Sequence, residues 1–171
     1  KSPVLSIAFR FLAQTFEAVA TRCATVVVYD TDEQQRVACA GRPRHRSIVL
    51  PVGAGSDWYC SPESLRQGDD ANAPNPLRLI YFGTYVPLHG VSVISAAFEE
   101  CIRRGVPVEL VMVGDGVDRR RAELQLAQYA DFVTWYTWLN VQLLANLVAN
   151  SDLGFGIFGK SAKAQSVVPN K

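Results

Sequence analysis

Residues 77–116 read LRLIYFGTYVPLHGVSVISAAFEECIRRGVPVELVMVGDG, and this stretch decides the fold. An apolar run (77–83) halts at Gly83 and a short loop leads to a helix predicted over 90–104. A second apolar run, VELVMVG, follows at 108–114. Downstream the rhythm repeats: a helix over 118–130, a strand in FVTWY (132–136), a helix over 139–150 and a strand in LGFGIFG (153–159). Strands apolar on both faces and separated by single helices imply right-handed βαβ crossovers and a parallel sheet covered on both sides. The expected fold is therefore α/β, a doubly wound, Rossmann-like parallel sheet. Such sheets take ligands beyond the carboxyl ends of their strands, where loops carry glycines and helix N-termini offer N–H groups. The loop GTYVPLHG (83–90) occupies such a place.

Upstream, residues 5–23 set Phe9, Leu12, Phe16, Val19, Ala20 and Cys23 at spacings of three and four, the stripe of an amphipathic helix. The β-branched run ATVVVYD (24–30), a short helix over 31–41 closed by Gly41 and a strand in SIVLPVG (47–53) follow. Polar text rich in Ser, Asp, Asn and Pro then marks a linker at 57–76. The chain thus divides into 1–56, a helix-strand-helix-strand remnant of one domain, the linker, and 77–171, a second domain.

Composition narrows the function classes. Of 171 residues, 49% are apolar and 19% charged, which suits a folded core. Seventeen basic against sixteen acidic side chains give +1, so no global field points to nucleic acid. The clusters RPRHR (42–46) and DRRR (118–121) read as solvated faces rather than binding patches. Cys23, Cys39, Cys60 and Cys101 show neither metal-ligand spacing nor a compact disulfide framework, so reduced thiols in a cytoplasmic compartment are expected. No apolar run approaches the roughly 18 residues that span a bilayer. A chain that opens on Lys1 and stops inside VVPNK is expected to be a piece of a longer protein.

Two short patterns mimic other chemistry. GFGIFG (154–159) fits the dinucleotide fingerprint G-x-G-x-x-G, but its glycines follow a helix and lie inside the strand instead of between strand and helix. VVVYDTDE (26–33) resembles the Asp-x-Asp nucleophile motif of haloacid-dehalogenase-like phosphatases, in which Asp30 and Asp32 would hold Mg²⁺. Gln34 replaces the usual Thr or Val, and the later acid pair Asp69 and Asp70 falls in the linker. A strand-end turn, with Asp30 or Thr31 capping the next helix, is the simpler reading.

Residues 77–116, followed by LLANLVANSDLGFGIFGKSAKAQSVVPNK (143–171), resemble the nucleotide-sugar-binding C-terminal domain of family 4 glycosyltransferases, two-domain enzymes of the GT-B fold. VVVYDTDEQQ and SIVLPVGAGSDWYCSP are similar to the end of that family's N-terminal, acceptor-side domain and the crossover. The resemblance implies glycan biosynthesis by sugar transfer from a nucleoside-diphosphate donor to a carbohydrate or lipid-linked acceptor. It implies retention of configuration, no cofactor and no obligatory metal. It also implies a cytoplasmic enzyme with peripheral membrane contact through the rest of its N-terminal domain, and no nucleic-acid partner.

The resemblance assigns Gly83, Thr84, His89 and Gly90 to the donor diphosphate, with Thr84 and His89 standing where many relatives carry Arg and Lys. Gly159, Lys160, Lys163, Asn170 and Lys171 would complete the phosphate and sugar site, and Trp135, Tyr136 and Thr137 would surround the base. The E-x7-E pattern of relatives is not carried: Ser166 or a neighbour takes the first glutamate position and the second lies past Lys171. The chain alone is expected to be inactive, and its catalytic residues are unassigned. The alternatives are a noncatalytic nucleotide-binding or regulatory α/β domain, of receiver type for example, and the phosphatase.

Overall fold

The computed structural model describes residues 3–40, 46–59, 75–162 and 164. The chain forms two compact units, Lys1–Val52 and Gly53–Lys171.

In the first unit a long helix α1 (Pro3–Cys23) precedes strand β1 (Val27–Tyr29), helix α2 (Asp32–Cys39) and strand β2 (Ser47–Val49). β1 and β2 pair in parallel, Val28 opposite Ile48, with α2 as the crossover. Thr31 caps α2: its side chain accepts from the Gln34 N–H, and Asp32 and Glu33 lie in the first turn, where acids favour the helix dipole. The Asp-x-Asp pattern is thus a helix start. The predicted stop at Gly41 lies outside the described residues, as do Arg42–His45 of the basic cluster, and Ala40 closes α2.

Most of the expected linker, residues 60–74 with Cys60, Asp69 and Asp70, also lies outside the described residues. Cys23 and Cys101 are free thiols.

The second unit alternates strand and helix. Its elements are β3 (Leu77–Phe82), α3 (Val91–Arg103), β4 (Val108–Val113), α4 (Arg119–Leu126), β5 (Val133–Tyr136), α5 (Val141–Ala149) and β6 (Leu153–Gly154). The strands are all parallel, in the order β5-β4-β3-β6.

Strand alternation divides the sheet's side chains between two layers. On one face Leu79, Tyr81, Leu110, Met112 and Val133 form the core with Val91, Ile94 and Phe98 of α3 and Ala122 and Leu126 of α4. On the other, Ile80 is fully buried and Phe82 stacks on Trp58 at 5.7 Å, within a 3-10 turn (Ser56–Trp58) that packs on α5. The sheet is doubly wound, as expected.

β1 and β2 are shorter than the predicted strands 24–30 and 47–53, and two boundaries in the second unit are also wrong. The helix over 118–130 ends at Leu126 and continues as 3-10 turns through Phe132, broken at Tyr129 (φ −112°, ψ 26°). The strand over 153–159 pairs with β3 only at Leu153 and Gly154. GFGIFG is therefore mostly loop, because after Phe155, whose N–H donates to the Ile80 carbonyl, the chain leaves the ladder for the β3–α3 loop.

Candidate functional site

β3 and β6 are adjacent, but the chain runs outward from β3 through β4 to β5 before the crossover through α5 returns to β6 on the other side of β3. The carboxyl ends at such a reversal are the place where doubly wound sheets take ligands. The β3–α3 loop lines it. After Gly83 and Thr84, Tyr85 adopts a positive φ of 44°, and Pro87–His89 form one 3-10 turn. Gly90, at φ 64° and ψ 39°, starts α3 with no side-chain cap. The dipole end of a 13-residue helix thus faces the loop without a capping side chain.

The segment after β6 clasps this turn through main-chain groups. Phe158 N–H donates to the His89 carbonyl at 3.0 Å and Gly159 N–H to the Leu88 carbonyl at 3.1 Å. A Cβ on Gly90 would lie 2.6 Å from the Gly159 nitrogen, so the two backbones meet where no side chain fits. Gly90 and Gly159, 69 positions apart by subtraction, are in one junction. Lys160 follows directly and is exposed, and Ser161 accepts from the Ala164 N–H at 3.1 Å.

The β4–α4 turn closes the other side. A Cβ on Gly114 (φ 115°) would collide with the Gly83 carbonyl, and one on Gly116 with that of Thr84. Asp118 N–H donates to the Tyr85 carbonyl at 3.0 Å. Arg119 ties the strand ends together: its guanidinium donates to the Gly114 and Tyr136 carbonyls, pairs with Glu123 at 2.8 Å and lies 5.7 Å from the centre of the Trp135 ring. The solvated reading of DRRR is thereby corrected at Arg119, whose side chain is only 15% exposed, because three acceptors and an aromatic face draw it inward. Arg120 and Arg121 are exposed.

The predicted site residues fall into three groups. Gly83, Thr84, His89, Gly90, Gly159 and Lys160 come together at the carboxyl ends of β3 and β6. Lys163, Asn170 and Lys171, with Ser166, lie outside the described residues. Trp135 packs against the core beneath Arg119, whereas Tyr136 points to the opposite face and lines an apolar cavity of about 240 Å³ with Leu139, Leu143 and Leu147. Thr137 is exposed. Sequence reading missed Tyr81, Gly114, Gly116 and Arg119; the GDG turn was the available signal for the two glycines.

His89 does not stand free. Its Nδ1 is 2.8 Å from the Tyr81 hydroxyl, and a Cβ on Gly83 would approach Nδ1, Cε1 and that hydroxyl at 3.1 Å. Burial pushes the Tyr81 hydroxyl up to about 12 against the pull of the Tyr85 main-chain N–H, with nearby Asp118 raising it further. Burial pushes Tyr85 up as well, and its hydroxyl is buried without a hydrogen-bond partner.

No protein-family model and no curated protein sequence matches the chain. Solved structures do match. Alr3699/HepE of Anabaena, in complex with UDP and glucose, superposes with a TM-score of 0.58 at 18% identity, over 79% of this chain and 38% of that one. The pneumococcal O-GlcNAc transferase GtfA, in complex with UDP and GlcNAc, gives 0.54 at 14% identity, over 75% and 25%. The catalytic domain of starch synthase IV from Arabidopsis thaliana, bound to ADP and acarbose, gives 0.53 at 17% identity, over 82% and 36%. The fold is that of the GT-B glycosyltransferases. The chain spans 24 to 42% of the length of the GT-B structures it matches. Among the described residues no helix is long and apolar enough to cross a membrane, and no group of three or more His, Cys, Asp or Glu side chains is placed to hold a metal ion.

Proposed function

We propose that the region 77–171 is the donor-binding part of a family 4 glycosyltransferase, and that the carboxyl ends of β3 and β6 hold the diphosphate of a nucleotide sugar. The observation that carries this reading is the glycine-built junction at the carboxyl ends, where Gly83, Gly90, Gly114 and Gly159 bring three loops into main-chain contact beside the start of α3. Main-chain N–H groups and a helix N-terminus suit a diphosphate, and Lys160 adds charge at the rim. His89 and Thr84 would contribute hydrogen bonds. In this reading 1–56 belong to an acceptor-side domain, and a sugar passes to a carbohydrate or lipid-linked acceptor with retention.

The leaving diphosphate gains charge as the glycosidic bond breaks, so donors aimed at it matter most in the transition state. His89→Ala should lower turnover by about a hundredfold, the usual cost of losing such a donor. Thr84→Ala, which removes one neutral hydrogen bond, should cost about 0.5 to 1.5 kcal/mol. Phosphates met by protein donors need no metal bridge, so EDTA should leave turnover intact. Steady-state kinetics of the full-length enzyme with a nucleotide-sugar donor, and the anomeric configuration of its product by NMR, check these points. Wild-type turnover in His89→Ala, or an inverted product, would contradict them.

A further inference from the structure

We propose that a cavity of about 270 Å³ between the starts of α3 and α4 is a second ligand site, and that it takes a neutral, hydroxyl-rich ring of monosaccharide size. The site is separate from the diphosphate junction and does not rest on that reading.

The β3–α3 loop supplies Pro87 and Gly90, the first turn of α3 supplies Ser92, and Asp118, Arg121, Ala122 and Gln125 come from the start and one face of α4. Gln125 also joins the two helices, because its amide donates to the Glu99 carboxylate at 2.9 Å. Ser92, Ser95 and Glu99 follow at spacings of three and four, so they share the stripe of α3 that is turned to α4. Ser95 is fully buried on that stripe, and its hydroxyl has no hydrogen-bond partner among the described residues. A buried hydroxyl left unbonded costs free energy, and a ligand hydroxyl entering the seam between the helices would satisfy it.

Charge selects the ligand class. Asp118 and Arg121 both line the cavity, yet neither forms an ion pair among the described residues. An anion drawn to Arg121 would also face the Asp118 carboxylate, and a cation drawn to Asp118 would face the guanidinium. A neutral polyol meets no such conflict: its hydroxyls donate to Asp118 and accept from Arg121, and such charge-assisted bonds are stronger than neutral ones. Ser92 adds a hydroxyl and Gln125 an amide oxygen, while the Pro87 ring and the Ala122 methyl offer an apolar patch to the C–H face of a sugar ring. A small zwitterion would pair with both charges but leave these neutral groups unused. Cavities that hold drug-sized ligands run from about 300 to 1,000 Å³, so this one suits a single ring.

The test is an amide chemical-shift titration of the ¹⁵N-labelled chain with glucose and, separately, N-acetylglucosamine, with glycine and inorganic phosphate as the zwitterion and the anion. At least one sugar should give saturable shifts at Gly90, Ser92, Arg121 and Gln125, with a dissociation constant on the order of millimolar. Asp118→Asn and Arg121→Ala each remove one charge-assisted bond and should weaken sugar binding about tenfold or more. No saturable shift with either sugar, equal or tighter binding of glycine or phosphate at these residues, or wild-type sugar affinity in either folded variant would overturn the proposal; if a variant fails to fold, the wild-type titrations decide. UDP added to the same protein reports on the diphosphate junction through Gly159 and Lys160, so the two readings fail separately.

Discussion

Tyr81 and Tyr85 stack edge to face at 5.0 Å, and both phenols are sealed from water. Their chemistry sets a pH limit on the fold. In the unfolded chain Tyr81 loses its proton near 10, while in the fold burial holds it to about 12. Between these values the unfolded state has released a proton that the native state keeps, so stability falls as pH rises. Stability contributed below pH 10 should be lost progressively toward 12, by roughly 1 to 2 kcal/mol for Tyr81. Urea unfolding across that range should show the decline, and Tyr81→Phe should flatten it; a wild-type stability independent of pH there would contradict the burial argument.

At this residue scale the sequence was partly legible. The loop GTYVPLHG announced itself by its glycines and its place after an apolar strand. The hydroxyl of Tyr81 did not, since a tyrosine in an apolar run reads as core, and its contact with His89 appears only in three dimensions. Arg119 was hidden for the mirror reason: in a run of three arginines nothing marks the one whose neighbours are carbonyls and an indole.

Among the elements, β3, β4 and α3 were legible within a residue or so, because each is bounded by glycine or a polar turn and carries a clear period. The overrun at α4 has a physical cause, since apolar positions in Gln-Leu-Ala-Gln-Tyr continue the helical spacing while the backbone kinks at Tyr129 to enter β5. β6 was overread because Gly-Phe-Gly-Ile-Phe alternates like a strand, yet the main chain after Phe155 is drawn to Leu88 and His89.

The loops between these elements are fixed by close backbone approach, which gives a paired prediction. Gly105 at φ 71° has open space around its Cα, so Gly105→Ala should cost only the backbone strain of about 1 to 2 kcal/mol. Gly114 at φ 115° would drive a methyl into the Gly83 carbonyl, so Gly114→Ala should cost clearly more. Denaturant midpoints compare them, and equal losses would mean that the Gly83–Gly114 approach contributes nothing.

For the whole molecule, the strand rhythm of 77–159 was enough to read a doubly wound parallel sheet. The order β5-β4-β3-β6 was not written in it, because periodicity says which segments are strands and not which are neighbours. That order is what puts β6 beside β3 and brings Gly159 to the loop that holds Gly83 and Gly90. This junction is proposed to receive a nucleoside diphosphate. The most direct measurement is an amide chemical-shift titration of the ¹⁵N-labelled protein with UDP and ADP. Saturable shifts should concentrate at Gly83, Thr84, Gly90, Gly159 and Lys160; no saturable shifts, or shifts confined to the Lys1–Val52 unit, would contradict the claim.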